Sequence, residues 1–158
     1  MANMAHITEP VPTKEHTRSN ASGAFDDIID QLAEAFRIEA LLEDPFDPAM
    51  SAIAHDAAAT WADVEMRAYE ILRGCDPIRA TAALALLELL EHDGTSPETI
   101  MQPVGRVQQL LSSAPARSVC DLPLRRQLAT LSQFMVLIAA QALDTHRNNA
   151  LEPVNVCA

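Results

Sequence analysis

The stretch from Asp76 to Gly94, DPIRATAALALLELLEHDG, decides how the rest of the chain must fold. Asp76 suits an N-cap, where its carboxylate can accept from the first free backbone N–H groups. Pro77 suits the first helical position, where its missing donor is not needed. Gly94 can take the left-handed position after the last turn. Between these stops the pattern predicts one helix of about seventeen residues. On a helical wheel Ile78, Ala82, Ala83, Ala85, Leu86, Leu87, Leu89 and Leu90 cover more than half the circumference. Thr81, Glu88, Glu91 and His92 are left as a narrow polar strip. A helix this apolar has to be surrounded by others.

The flanking segments supply them. Ser22 opens a helix expected to run to about Glu43, where Asp44-Pro45 stops it, with Phe25, Ile28, Ile29, Leu32, Ala35 and Phe36 as its apolar stripe. Asp47-Pro48 repeats the cap-and-proline signature and opens a second helix, to Arg73, striped by Ile53, Ala57, Trp61, Val64, Ala68 and Ile71. Beyond the central helix, Ser96-Pro97-Glu98 starts another, which Pro103 is expected to break into two short pieces. Asp121 is expected to cap the last helix, ending near Arg147, with Leu124, Leu128, Leu131, Met135 and Ile138 inward and Phe134, Val136, Leu137 and Leu143 widening the stripe. Scarce glycine and prolines at the edges of periodic runs point the same way. The expected fold is an all-α, single-domain helical bundle of about four main helices plus one short broken helix. It spans residues 21–147, between disordered tails at 1–20 and 148–158, neither of which has a stripe to bury. At 158 residues the chain can bury a core without metal or disulfide staples.

Charge is the most distinctive bulk property. The net is −11, and it is unevenly placed: residues 21–94 hold sixteen acids against four arginines, whereas 95–158 come to +1. Such a surface disfavours direct binding to nucleic acid or to an anionic membrane and suits a protein partner with a basic surface. The small cluster Arg117, Arg125 and Arg126 is too weak a basic patch to change that. The uncharged run from Gln127 to Leu143 is short for a bilayer span and carries Thr130, Ser132, Gln133 and Gln141, so no membrane association is expected. Its apolar breadth suits a homodimer instead. Cys75, Cys120 and Cys157 lack metal-binding spacing and read as reduced thiols. With no export signal at the start, the expected location is the cytoplasm. One lysine among eleven basic residues, with abundant alanine, suggests a GC-rich bacterial genome.

Motifs that carry chemistry are scarce. Glu88 and Glu91 supply half of a paired-carboxylate metal motif, and Glu88 with His92 is one residue too long for the di-metal bundle spacing. No glycine-rich phosphate loop or nucleophile motif is present, so no cofactor or metal is expected. Glu39 and Arg79 fall on apolar sides of their helices. They can pair with each other, but reaching water by snorkelling is the favoured expectation. The sequence thus points to a non-enzymatic protein-interaction or regulatory module, with an acidic decoy of nucleic acid or a carboxylate-dependent bundle enzyme as alternatives. Its expected interaction surface is two acidic ridges opposite the apolar stripes: Asp27, Asp30 and Glu34 on one helix, and Asp56, Asp63 and Glu70 on the next.

Overall fold

Asp76 caps the central helix as its chemistry demands. Its backbone is extended, and Oδ1 accepts from the N–H groups of Ile78 at 3.0 Å and Arg79 at 3.2 Å. The computed structural model describes residues 14–42, 47–74, 76–91, 96–113 and 122–151, with side chains placed between residues 23 and 148 of these. Among the described residues there are five helices and no strand: α1 (Lys14–Glu39), α2 (Ser51–Leu72), α3 (Pro77–Leu90), α4 (Pro97–Ser113) and α5 (Leu122–Leu151).

Chain neighbours pack on one another, α5 closes back onto α1, and α3 lies against α2, α4 and α5. The consequence is visible on α3, where Ala82, Ala83, Ala85, Leu86, Leu87 and Leu89 are all buried although they point in several directions. Small residues there let three helices approach closely, and the leucines fill what remains. Phe25, Ile28 and Leu32 from α1, Val64 from α2, Val104 and Val107 from α4, and Leu128, Leu131 and Met135 from α5 join them in one continuous core. Each fully buried large apolar side chain contributes about 1.5–3 kcal/mol. The protein is an all-α, single-domain helical bundle, as its sequence predicts.

Several boundaries differ from expectation, each for a physical reason. The helix α1 begins at Lys14, eight residues before Ser22, so residues 14–20 of the expected tail have helical backbone. No proline follows Pro12 there, and extending an existing helix costs far less than starting one. It ends at Glu39 rather than Glu43. The second helix opens as a short 3₁₀ turn, Pro48–Met50, on the Asp47 cap, whose Oδ1 accepts from Ala49 N–H at 2.8 Å, and continues as α2. Pro103 does not break α4: it is buried in the core, and the helix runs unbroken through it. The carbonyl that loses its donor belongs to exposed Thr99, so burial of the ring offsets a penalty of about 3 kcal/mol. α5 continues past Arg147 to Leu151. The caps proposed at Gly94 and Asp121, and both tail ends, lie outside the described residues.

Replacing Leu89, which is 0% exposed, by Asp should lower stability by at least about 4 kcal/mol, through lost packing and an unpaired buried charge. Circular dichroism should then show little cooperative thermal unfolding, whereas a native-like melt would contradict the central position of α3.

Candidate functional site

The first acidic ridge sits on α1 because its buried residues, Phe25, Ile28, Leu32 and Ala35, use one side of the helix and leave Asp27, Asp30 and Glu34 exposed on the other. On α2 the buried residues are Ala57, Val64, Ala68 and Ile71, and Asp56, Asp63 and Glu70 are exposed. The three are seven residues apart, so they recur along one flank about every 10.5 Å. That flank lies about 120° round the helix from Tyr69, which marks the side facing α3. The structure therefore puts two exposed ridges on adjacent, packed helices.

Two of the six carboxylates are locally neutralised. Arg37 binds Glu34 through two hydrogen bonds, 2.6 and 2.7 Å, and these bonds hold the Glu34 carboxyl below its ordinary pKa. Arg67 donates to Glu70 at 3.0 Å rather than to Asp63, four residues back along the same helix. Asp27, Asp30, Asp56 and Asp63 have no cationic partner among the described residues. Nothing in the packing needs them.

The carboxylates with catalytic or metal-binding potential are otherwise engaged. Glu88 pairs with Arg106 of α4, and Glu91 accepts from the Tyr69 hydroxyl of α2, so the polar strip of α3 ties it to both neighbours. His92 lies outside the described residues. Among the described residues no group of three or more His, Cys, Asp or Glu side chains is placed to hold a metal ion. Leu84, 42% exposed, stands in the middle of the strip.

Glu39 and Arg79 neither pair nor simply reach water. Glu39 accepts from Trp61 Nε1 at 2.7 Å, beside an aromatic group in which Phe36 meets Trp61 edge-on at 5.5 Å and stacks on Phe134 at 5.6 Å. Arg79 pairs with Asp76 in its own cap, lies 6.0 Å over the Phe25 ring, and donates to Gln127 at 3.3 Å. Gln127 in turn donates to Asp26 at 2.6 Å, so one polar chain links α3, α5 and α1. Sequence reasoning missed Gln127. Its signal was an amide directly beside the stripe residue Leu128, a position that has to find partners once buried. Compared with family models, curated proteins and solved structures, the chain matches none of them.

Tyr69 is the only tyrosine, and donation to the Glu91 carboxylate raises its pKa above the ordinary tyrosine value. An ultraviolet titration should find it ionising later than free tyrosine, and Glu91→Gln should move it back towards about 10. Because the folded-state pKa is raised, this bond's contribution to stability is complete below the unfolded pKa. It is lost as pH rises through the folded value. An unchanged titration in Glu91→Gln would show that the bond does not persist in solution.

Proposed function

We propose that this protein is a non-enzymatic, cytoplasmic interaction or regulatory module whose acidic ridges on α1 and α2 receive a protein partner with a basic surface. One observation carries the reading: Asp27, Asp30, Asp56 and Asp63 are exposed, have no cationic partner among the described residues, and serve no packing purpose. Gathering like charges on neighbouring helices is unfavourable for an isolated fold, and a basic partner relieves that repulsion. At long range the field of the ridges raises the rate of encounter, and salt suppresses it as the screening length shortens to about 8 Å near physiological ionic strength. The engagement of Glu88, Glu91 and Glu39 in contacts between helices supports binding over carboxylate catalysis.

The test is to replace Asp56 and Asp63 by Asn and Glu70 by Gln together, confirm unchanged helicity, and compare capture from lysate with wild type at low and physiological salt. The triple variant should lose most of the basic partners held at low salt, about tenfold by recovered amount, and its remaining capture should respond less to salt. Recovery of the same partners with the same salt dependence would overturn the ridge as the contact surface.

A further inference from the structure

The helix α5 has two faces of different character. Leu128, Leu131, Met135 and Ile138 are buried in the bundle. The opposite face reads Arg126, Thr130, Gln133, Leu137, Ala140 and Asp144, at alternating spacings of four and three residues, the repeat by which one helix lies along another. Leu137 is 51% exposed and Val136 beside it 42%, so both extend the apolar surface of α5 beyond what its own neighbours cover. Among the described residues, α1, α3 and α4 occupy the inner side and leave this seam uncovered.

The order of residues along the seam is self-complementary. About residue 135 as midpoint, Gln133 and Leu137 stand two residues to either side, Thr130 and Ala140 five, and Arg126 and Asp144 nine. A two-fold axis through that midpoint sets Arg126 against the Asp144 of a copy lying in the opposite direction, and repeats the pair at the far end. The two ion pairs then stand about 27 Å apart along the helix. Leu137 stands near the centre with Val136 on its flank, and Ala140 permits close approach. Among the described residues neither Arg126 nor Asp144 has an ion-pair partner in its own chain. The helix also belongs to the part of the chain whose net charge is +1, where a second copy of an acidic protein meets least repulsion.

We infer that the outer face of α5 is a self-association surface, on which a second copy of this chain docks antiparallel with Arg126 of each copy paired to Asp144 of the other. The apolar centre supplies affinity, and the charge pairs fix direction and register, since exposed ion pairs contribute little on their own. A single helix pair is small beside the usual ~800 Å² per partner, so the dimer forms at micromolar concentration. The inference does not rest on the acidic ridges.

Sedimentation equilibrium of the full chain from about one to a few hundred micromolar tests it. The apparent mass should rise from 17.2 kDa towards twice that value. Leu137→Asp should keep wild-type helicity, and wild-type melting at concentrations where both proteins are monomeric, because the side chain is exposed, yet weaken association at least about tenfold. Arg126→Glu and Asp144→Arg should each weaken it, and the two together should restore it, a recovery that a merely structural role for either residue cannot produce. A wild-type mass fixed at 17.2 kDa would overturn the proposal. So would association indifferent to Leu137→Asp, or a double charge exchange as weak as the single ones. Over Leu122–Asn148 the helix is also long and apolar enough to cross a membrane by length and composition. A protein that stays monomeric in solution but sediments with phosphatidylcholine vesicles would therefore replace the second copy with lipid. Dimerisation only after removal of residues 152–158 would assign the face to that segment instead.

Discussion

Burial of α3 on nearly all its sides is the constraint on which the rest depends. A short helix with Ala82, Ala83, Ala85, Leu86, Leu87 and Leu89 all out of water cannot be served by one partner, so α2, α4 and α5 have to converge on it. The alanines set how near they come. With those helices placed, α1 is left to bridge α2 and α5, and its aromatic residue Phe36 does so, touching Trp61 on one side and Phe134 on the other. The hydrophobic term sets the arrangement but is not directional. Direction comes from polar contacts at the margins: Glu39 with Trp61, Glu88 with Arg106, Glu91 with Tyr69, and the chain from Asp76 through Arg79 and Gln127 to Asp26.

These polar contacts differ in weight. The Arg37–Glu34 and Arg67–Glu70 pairs are exposed and lie within single helices, so each contributes little to stability. Arg79 is another matter: its side chain is only 12% exposed, and its Nε is buried without a hydrogen-bond partner among the described residues. A guanidinium in that position needs its remaining donors satisfied, which is why Asp76 serves as cap and counter-ion at once and Gln127 is buried beside it. Removing Gln127 would leave Arg79 with Asp76 alone and cut its link to Asp26 of a second helix. The cap of α3 is thereby coupled to the seating of α1 on α5.

What could be read in the sequence divides along the same line between local and tertiary causes. The cap at Asp76, the Asp47-Pro48 start and the stripes of α1 and α2 follow from neighbouring residues, and the structure reproduces them. Pro103 could not be judged locally, because its tolerance depends on burial against other helices. Nor could the N-terminal limit of α1, where no strong stop separates Lys14 from Gly23. Of the candidate site, the exposure of all six ridge carboxylates was legible from period alone, whereas Arg67's choice of Glu70 over Asp63 depends on side-chain geometry. Glu39 was recognisable as misplaced on an apolar stripe, but its partner Trp61 lies 22 residues away and no local rule selects it.

The acidic excess and the outer face of α5 lie in different parts of the chain, and that separation connects the two proposals. The acidic excess falls on residues 21–94, which supply α1, α2 and α3, while the outer face of α5 between Arg126 and Asp144 carries no charge. Two copies approaching at random repel through their shared net charge of −11, and the repulsion is weakest where the acids are fewest. In the proposed dimer an apolar centre flanked by one cation and one anion would convert that weak spot into a directional contact, since only the antiparallel arrangement brings unlike charges together at both ends. The ridges lie on α1 and α2 rather than on the pairing helix itself. A dimer joined along α5 would therefore present its acidic ridges twice, and two modest electrostatic contacts held by one body bind a repetitive basic partner far more tightly than either alone.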